Sequence, residues 1–399
     1  MSSRPATLFV SYDGMLEPLG QSQVIAYQEL LAEHFDVHLL SFEKSADWSR
    51  TGLRSHIAER LSRAGIHWHP RRYHKRPSAI ATAFDIVVGI ATGWMLVSRN
   101  GIRLLHARSY VAAVICLVLK RLTGAKFLFD MRGFWADERV DGGLWSKNGR
   151  LFRVSKWFER HFLLHADAVI SLTHAAVREM EQFPYLAERM PKVSVIPTCA
   201  DLTLFRPRPE NTSRSPLTVG YVGSVGTWYM FDEVVTAFLV LRNLKPDARL
   251  LIVNKGEHAL IRKKLLQADV PPEAFELTAA AHAEVPALMQ RMHVGIFFIK
   301  PAFSKQASAP TKLGEFLGCG IPCLTNTGVG DMAAILRSEA VGIAISSFDP
   351  APMEEGIRGL LALLDGPGVQ SRCTAAAMKY FSLEHGVACY LRTYRELLA

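Results

Sequence analysis

The sequence predicts an α/β protein built from two doubly wound domains with parallel sheets. Short apolar runs alternate with helical segments through both halves of the chain, which is typical of parallel strands joined by crossover helices. The alternation restarts at 217–226, where a strand runs into a glycine-rich turn after a proline-, arginine- and serine-rich passage. The length of 399 residues also exceeds what one hydrophobic core usually holds. We therefore expect an N-terminal domain at 1–200, a linker at 201–216 and a C-terminal domain at 217–381.

The positions of the elements follow from the apolar runs and their spacing. In the first half we expect strands at 7–12, 37–41, 66–69, 103–107, 126–130, 167–172 and 193–197, with helices at 24–31, 50–64, 79–97, 111–122 and 150–164. In the second half we expect strands from 217 and at 249–254, 275–277, 294–299, 321–325 and 341–346. Open parallel sheets bind ligands in the loops after the carboxyl ends of their strands. Two such domains in tandem are expected to place both sets of loops on either side of one cleft.

A polar segment and the helix after it, within 304–322, organise the second domain. Pro310 suits the first helical position, where its missing N–H costs nothing, and Gly320 suits the position just past the helix end. We expect the residues before Pro310 to form a flexible loop aimed at the helix N-terminus. Such a terminus attracts anions, phosphate above all. The segment therefore predicts a pocket for a nucleoside diphosphate.

We expect the nucleoside diphosphate to be part of an activated donor. The residues expected to bind this donor surround the helix start and the glycine-rich turn at 223–226. That turn lacks the third glycine of a dinucleotide-binding fingerprint, so alone it is weak evidence. Lysines and backbone amides would neutralise the phosphates. The predicted donor-binding residues are Lys300, Lys305, Ser308, Thr311, Lys312, Glu315, Gly223, Ser224 and Gly226.

Two loops of the first domain are candidates for the other substrate. The loop at 131–145 holds three carboxylates, two arginines and two tryptophans, more than a plain connection needs. The loop after the first strand is either a plain connection or a ligand loop, in which Gly20, Gln21, Ser22 and Gln23 would hold an acceptor or a diphosphate. The candidate catalytic residues are Asp13, Asp130, Arg132 and Glu138.

Charge and hydropathy restrict the partners. The net charge of +9 lies mostly in residues 1–198, which hold 26 Lys and Arg against 18 Asp and Glu. An anionic partner is therefore expected, but no nucleic-acid motif occurs. The basic run 71–76 is either a solvated loop or an anchor for anionic lipid headgroups. The apolar segment 79–97 is expected as a mostly buried helix, with a helix lying on a membrane surface as the alternative.

The cellular location is predicted from the N-terminus and the cysteines. The chain enters its first strand almost at once, so no signal peptide is expected. Six scattered cysteines without a C-x-x-C pair indicate reduced thiols. We therefore expect a cytoplasmic protein, with peripheral contact at the inner face of the cytoplasmic membrane as the finer interpretation.

The sequence resembles the family-4 retaining glycosyltransferases of the GT-B fold, which are common in bacterial polysaccharide assembly. The resemblance covers nearly the whole chain and is most specific at 12–15, 20–23, 129–135, 195–198 and 308–315. It implies two Rossmann-like domains and a C-terminal helix, about 382–399, that crosses back to the first domain. It also implies transfer of a hexosyl or N-acetylhexosaminyl group from a nucleotide sugar to a glycan or polyprenyl-diphosphate-linked saccharide.

Three positions depart from the pattern of that family. The resemblance implies that Glu315 holds the ribose hydroxyls of the donor, but the glutamate that often precedes it by eight positions is Ala307 here. Ser224 stands where a basic pair often binds the diphosphate, so nearby lysines would supply the charge. Arg132 stands where a histidine is frequent. These departures affect the roles of individual residues and not the resemblance to this class of glycosyltransferase.

The expected reaction needs charge stabilisation more than acid–base catalysis. Arg132 would stabilise the phosphate or orient the sugar, while Asp13, Asp130 or Glu138 would position the acceptor hydroxyl. No cofactor and no metal are expected, because the sequence has no evident D-x-D pair of carboxylates and lysines can replace a cation. A UDP-sugar is favoured over a GDP-sugar as the donor. Two alternatives stay open: a non-catalytic nucleotide-sugar-binding partner, and a nucleotide-sugar 2-epimerase.

Overall fold

The computed structural model describes residues 4–209 and 215–399. The chain divides into two compact units, unit 1 with Met1–Pro197 and Gly386–Ala399, and unit 2 with Thr198–His385. Residues 210–214 of the predicted linker lie outside the described residues. The roles assigned to the two halves, acceptor binding and nucleotide-sugar binding, stay predictions.

Unit 1 is built on a seven-stranded parallel sheet in the order β3-β2-β1-β4-β5-β6-β7. Its strands are β1 Ala6–Ser11, β2 Asp36–Glu43, β3 His67–Arg72, β4 Leu104–Arg108, β5 Lys126–Asp130, β6 Ala168–Ser171 and β7 Val193–Val195. Its helices are α1 Pro18–Gly20, α2 Ala26–Leu31, α3 Ser45–Trp48, α4 Thr51–Arg63, α5 Ser78–Asn100, α6 Ser109–Thr123, α7 Trp135–Asp141, α8 Arg150–His165 and α9 His174–Glu181. A π-helical turn, Gln21–Ile25, joins α1 to α2, and Pro184–Leu186 is a 3-10 turn.

Register in the central strands of unit 1 brings three polar residues side by side. β1 pairs with β4 so that Ser11 lies opposite Arg108, and β4 pairs with β5 so that Arg108 lies opposite Asp130. The strand interiors are apolar and almost fully buried, as expected for a parallel sheet covered on both faces. The polar residues at the strand ends therefore mark the carboxyl edge of the sheet as the place where ligands bind.

Unit 2 has a six-stranded parallel sheet in the order β10-β9-β8-β11-β12-β13. Its strands are β8 Thr218–Val222, β9 Arg249–Val253, β10 Phe275–Thr278, β11 Val294–Ile296, β12 Cys323–Asn326 and β13 Gly342–Ile345. Its helices are α10 Phe231–Leu244, α11 His258–Gln267, α12 Val285–Met289, α13 Thr311–Gly318, α14 Met332–Ser338, α15 Pro350–Asp365 and α16 Val369–Phe381. Three 3-10 turns lie at Pro272–Ala274, His282–Glu284 and Phe303–Ala307. The last helix, α17 Leu383–Leu398, belongs to unit 1 from Gly386 onward.

Close packing fixes the position of α13 on the sheet of unit 2. A Cβ atom at Gly295 in β11 would lie 2.8 Å from the ring of Phe316, so only glycine lets α13 come this near. Phe316 and Leu317 are fully buried on this face of α13. Lys312 and Glu315 on the same helix are partly buried. The packing of α13 thus fixes the backbone that carries these two charged side chains.

Two loop predictions are wrong. The segment 131–145 contains the helix α7, with acidic residues in its first turn, where they complement the helix dipole. The segment before α13 is a 3-10 helix rather than a flexible loop, and Ser304, Lys305 and Ala307 within it are buried. Pro310 is the residue just before α13 rather than its first residue, while Gly320 adopts the expected left-handed conformation with φ +74°.

The prediction that 79–97 forms a mostly buried helix is also wrong. The helix forms, as α5, but only 39% of its most apolar 18-residue window is buried. By length and composition alone, Ala79–Asn100 could cross a membrane. One stripe of large apolar side chains faces outward: Ile80, Phe84, Val87 and Trp94. Its one acidic residue, Asp85, is buried, paired with His74 at 2.6 Å and bonded by the Tyr12 hydroxyl at 2.8 Å.

Candidate functional site

Lys312 has the most unusual environment in unit 2. Its Nζ lies 3.4 Å from the centroid of the Tyr229 ring and 5.0 Å from that of Tyr221. A Cβ atom at Gly223 would lie 2.8 Å from Nζ, so the ammonium group touches the glycine-rich turn. Nζ is buried and has no hydrogen-bond partner within residues 4–209 and 215–399. Buried ammonium groups are normally paired, so this cation is suited to an anionic ligand.

Burial changes the protonation of Lys312 and of Glu315, which follows one turn later on α13. Burial lowers the pKa of Lys312 to about 7, although the negative charges of Glu315 and Glu257 oppose the shift. Burial likewise raises the pKa of Glu315 to about 7, although Lys312 opposes that shift. Perturbed values of this kind concentrate at functional sites. Both side chains therefore change charge near neutral pH.

Hydrogen bonds hold the turn beside Lys312 in one conformation. Gly223 has φ +109°, a conformation open to glycine, and its carbonyl accepts a bond of 2.9 Å from Asn254 Nδ2. Glu257 Oε2 accepts from the backbone N–H of Val225 at 3.0 Å, and the Tyr221 hydroxyl donates to the Ser224 carbonyl at 2.5 Å. The turn is thus preorganised. Sequence reasoning found the turn but missed Asn254 and Glu257, which follow β9, the strand next to β8.

The other predicted donor residues are distributed around α13. Lys305 is buried, with Nζ 3.7 Å from the Trp228 ring centroid, so part of its charge interacts with an aromatic face. Ser308 and Thr311 are partly buried at the start of α13, and Lys300 is exposed. Gly226 lies beside Glu257, whose Oε1 would be 3.5 Å from a Cβ at that position. Of the three lysines, Lys312 is the one that the structure brings against the glycine-rich turn.

In unit 1 the centre of the candidate site is Asp130 at the end of β5. Its carboxylate is buried, accepts a bond of 2.9 Å from the Tyr390 hydroxyl, and lies 3.6 Å from His106 Nε2 and 3.9 Å from Arg132. Burial raises the pKa of Asp130, but Arg132, His106 and Arg108 outweigh that effect and hold the pKa below its ordinary value. Asp130 is therefore an ionised group that fixes the positions of the cations around it.

Two further residues of this cluster come from β4. Arg108 is buried, and its Nε lies 3.7 Å from Oδ2 of the half-exposed Asp13. His106 lies behind it, with Nδ1 2.6 Å from the Tyr394 hydroxyl. The sequence analysis missed both as site residues. The available signal was their place at the end of the strand that pairs with β1 and β5, because neighbouring parallel strands deliver their last residues to one edge.

Backbone strain marks the same edge of the sheet. Arg132 and Ser109 have φ of +58° and +68°, and both follow the carboxyl ends of adjacent strands. Left-handed conformations of residues other than glycine cost about 1–3 kcal/mol and cluster at functional sites. The strain at Arg132 turns the chain sharply after Asp130. Asp13, Asp130 and Arg132 thus lie together with Arg108, which the sequence analysis did not name, and their chemical roles stay predictions.

The acidic residues of 131–145 separate into different environments. Asp137 lies 2.9 Å from Lys156 of α8, which also contacts the buried Glu159, so this pair ties α7 to α8. Glu138 lies in the first turn of α7 and is partly buried. Its predicted role in positioning the acceptor stays a prediction.

The loop after β1 is tightly wrapped. A Cβ atom at Gly20 would lie 2.1 Å from the Gly14 carbonyl oxygen, so a larger residue at position 20 would force the loop open. The buried Glu43 accepts from the backbone N–H groups of Met15 at 2.8 Å and Leu16 at 3.2 Å. The close approach of Gly20 to Gly14 gives this glycine a structural role in addition to the predicted ligand contact.

The side chains that follow Gly20 also make local contacts. Gln21 donates to the Leu16 carbonyl at 3.2 Å, Ser22 donates to the Pro18 carbonyl at 3.0 Å, and Gln23 is buried. Their predicted contact with an acceptor or a diphosphate stays a prediction. The π-helical turn Gln21–Ile25 continues this loop, and π turns are frequent at functional sites.

Family models match most of both units. Residues 26–199 match the model described as a glycosyl transferase 4-like domain, and residues 216–363 match glycosyl transferases group 1. The chain belongs to the family-4 glycosyltransferases.

Relatives of this glycosyltransferase agree with that assignment. The chain is 22% identical over 318 residues to the D-inositol 3-phosphate glycosyltransferase of Segniliparus rotundus. The match covers 77% of this chain and 64% of that protein, so the chain spans less than two thirds of the length of this curated relative.

Solved structures show that the glycosyltransferase has the GT-B fold. It resembles sucrose-phosphate synthase from Thermosynechococcus elongatus with a TM-score of 0.71 and 15% identity, covering 99% of both chains. It resembles a glycosyltransferase from Rickettsia africae with a TM-score of 0.70 and 13% identity, again over 99% of both chains. Anabaena HepE in complex with UDP and glucose matches with a TM-score of 0.68 and 13% identity, over 98% of this chain and 100% of that one.

Proposed function

We propose that this glycosyltransferase moves a hexosyl or N-acetylhexosaminyl group, with retention, from a nucleotide sugar to a saccharide acceptor in cell-surface polysaccharide synthesis. The acceptor is a glycan or a saccharide linked to polyprenyl diphosphate. The observation that carries the proposal is Lys312, a buried cation held against a rigid glycine turn and suited to a diphosphate. Glu315, one turn further along α13, would accept hydrogen bonds from ribose hydroxyls. The structure of HepE with UDP and glucose supports UDP as the nucleotide.

The proposed reaction breaks the bond between the anomeric carbon and the phosphate oxygen and forms a bond to the acceptor oxygen on the same face. The leaving phosphate takes the acceptor proton, so the charge balance needs no acid–base pair of the glycosidase kind. Lys312 and the amides of the turn stabilise the negative charge that develops on the phosphate. Lys312 would supply the positive charge without metal assistance.

In the proposed reaction, the candidate residues of unit 1 orient the substrates and supply a second positive charge. Arg132 carries a guanidinium that stays charged, and the buried Asp130 fixes its place. Asp13 is half exposed and held near Arg108, so its carboxylate is accessible to an acceptor hydroxyl. We therefore assign phosphate or sugar orientation to Arg132 and acceptor positioning to Asp13.

A panel of nucleotide sugars tests this function. We expect one UDP-sugar to raise the melting temperature by several degrees at a hundredfold excess over its dissociation constant. Mass spectrometry with that donor should then detect slow sugar release without acceptor and a glycosylated product with lipid-linked saccharides. Epimerised donor in the absence of acceptor would support the epimerase alternative instead. Binding without either product would support the non-catalytic alternative.

We also propose that unit 1 contacts an anionic membrane, where a lipid-linked acceptor would lie. The outward stripe of α5 is apolar over four helical turns, with Ile80 71%, Phe84 54%, Val87 63% and Trp94 54% exposed. A basic segment lies beside its start, because the His74 ring packs edge-on against Phe84 at 5.2 Å. Arg72, Lys75 and Arg76 in that segment are exposed. An apolar stripe with a basic border is complementary to anionic lipid surfaces.

Vesicle sedimentation tests this contact. The protein should bind vesicles of phosphatidylglycerol mixed with phosphatidylcholine, and should not bind vesicles of phosphatidylcholine alone. Replacing Phe84 and Trp94 together by glutamate should weaken binding at least tenfold, because two large apolar groups are lost and two negative charges are added. The matched control is Leu266→Glu, at a leucine of α11 in unit 2 that is 60% exposed. Equal binding by the double variant and the wild type would contradict the contact.

A further inference from the structure

A cluster of imidazoles and a carboxylate lies on the edge of the unit 1 sheet, away from the residues discussed so far. β2 and β3 pair in parallel with His38 opposite His67. Because side chains alternate between the faces of a sheet, Asp36, His38, His67 and His69 project from the same face. Asp36 and His67 stand at the first residues of their strands, whereas Arg108 and Asp130 stand at strand ends. The cluster is therefore at the opposite edge of the sheet from the candidate catalytic residues.

The side chains of the cluster are close enough to share an ion. One ligand atom from each of Asp36, His38 and His67 lies within 4.8 Å of the other two. His67 Nε2 lies 3.1 Å from Asp36 Oδ1, and His38 Nε2 lies 3.8 Å from Asp36 Oδ2. Ligand atoms around a tetrahedral Zn²⁺ with bonds of about 2.0–2.1 Å are about 3.3 Å apart. The exposed His67 and the partly exposed Asp36 need only small rotations to reach this spacing.

The contact between His69 and His38 is compatible with the tautomer of His38 that a metal requires. His38 Nδ1 and His69 Nε2 are 3.1 Å apart, so one of them donates a proton to the other. When Nδ1 of His38 donates, its Nε2 carries a lone pair. That Nε2 is buried and has no hydrogen-bond partner in the described part of the chain. A ligand histidine whose second nitrogen donates to a neighbour is the usual arrangement in metal sites.

We propose that Asp36, His38 and His67 form a binding site for a divalent transition metal ion, with Zn²⁺ as the expected occupant and His69 as the residue that orients His38. Two imidazole nitrogens and one carboxylate oxygen favour Zn²⁺ over Mg²⁺ or Ca²⁺, which prefer oxygen ligands. Water would supply the fourth ligand. The ion would bind β3, the edge strand, to β2 and would take no part in sugar transfer. The sequence analysis expected no metal because it searched for a D-x-D pair, and these ligands come from two strands.

Calorimetric titration of the full chain with ZnCl₂, after removal of metals by EDTA, tests the site. We expect saturable binding of one Zn²⁺ per chain and an increase in melting temperature with added Zn²⁺. The variants His67→Ala and Asp36→Asn, at side chains that are 57% and 39% exposed, should each bind Zn²⁺ at least tenfold more weakly and lose the increase in melting temperature. MgCl₂ should produce neither effect.

Two control variants separate this site from other histidines. His165→Ala removes one ring of the stacked pair His161 and His165 on α8, which is a second candidate for zinc by its spacing. His56→Ala removes an exposed histidine of α4. Both controls should bind Zn²⁺ as the wild type does. The proposal is overturned if the wild type binds no Zn²⁺, or if His67→Ala and Asp36→Asn bind Zn²⁺ with the affinity of the wild type. Loss of binding in His165→Ala would then place the ion on α8 instead.

Discussion

Replacing Lys312 by methionine should weaken binding of the nucleotide-sugar donor about a hundredfold while leaving the folded protein as stable as before, or more stable. Methionine keeps the apolar contact with Tyr229 and removes the ammonium charge. The loss of a charge-assisted phosphate contact costs about 1.5–3 kcal/mol, and each 1.4 kcal/mol is a factor of ten in affinity. Stability should not fall, because removing an incompletely paired buried charge relieves its desolvation cost. Calorimetry with the donor and thermal unfolding measure the two effects.

The pH dependence provides a second readout of the same lysine. Because the pKa of Lys312 in the free protein is about 7, against an ordinary value of 10.5, the folded state binds fewer protons than the unfolded state between these values. This group therefore makes the free protein more stable as the pH rises from 7 to 10.5. A bound diphosphate favours the charged form, so donor affinity should fall by up to tenfold per pH unit above pH 7. Deprotonation of Glu315 near the same pH adds repulsion.

Controls make this prediction specific. Lys263→Met, at an exposed lysine of α11 in the same unit, should change neither affinity nor its pH dependence. Glu315→Gln should weaken binding through the lost ribose contact and keep the dependence that comes from Lys312. If Lys312→Met binds the donor with wild-type affinity at pH 6.5, then the diphosphate lies elsewhere.

Replacing Arg132 by asparagine should lower the rate of sugar transfer by about a hundredfold to a thousandfold, with a much smaller effect on stability. Asparagine tolerates the left-handed conformation that Arg132 adopts at φ +58°, so the variant removes the charge and keeps the backbone. Loss of one group that stabilises charge in the transition state costs about a hundredfold to a thousandfold in rate. Steady-state kinetics with the donor identified by the panel would show the loss mainly in kcat.

A charge-conserving variant separates the role of Arg132 from that of the turn. Arg132→Lys should recover part of the rate, because an ammonium group supplies charge without the planar geometry of the guanidinium. Arg132→Ala should lower the rate as Arg132→Asn does and should be less stable than Arg132→Asn, because alanine lacks the preference of asparagine for positive φ. Full activity of Arg132→Asn would show that Arg132 does not act on the reacting groups.

Much of this fold could be predicted from sequence because the pattern of parallel strands is local. The apolar runs that become β1, β4 and β5 are short, continuous and followed by glycine or polar residues, which leaves little freedom in their assignment. The helical segment 79–97 was assigned correctly as a helix and wrongly as mostly buried. Hydropathy reports how apolar a helix is, but which of its faces finds a partner depends on tertiary packing.

The candidate sites were less predictable, because their geometry arises between strands. Lys312 and Glu315 could be found from the helix start alone. The contacts of Lys312 with Gly223 and Tyr229 join residues far apart in sequence, and so does the pairing of Asp130 with Tyr390. The zinc ligands depend on the register of β2 against β3, which hydropathy does not determine. Patterns that are local in the sequence therefore located the helices and strands. The environment of each charged group could be determined only from the structure.

The origin of Tyr390 and Tyr394 in the last helix has a consequence for biosynthesis. Both hydroxyls complete the hydrogen bonding around Asp130 and His106, which lie in the first part of the chain. A ribosome therefore synthesises all of unit 2 before it synthesises the segment that finishes unit 1. A nascent chain that ends before α17 leaves the buried carboxylate of Asp130 without the Tyr390 bond, and so carries an incomplete site. Premature termination or loss of this helix should yield inactive protein, however well unit 2 has folded.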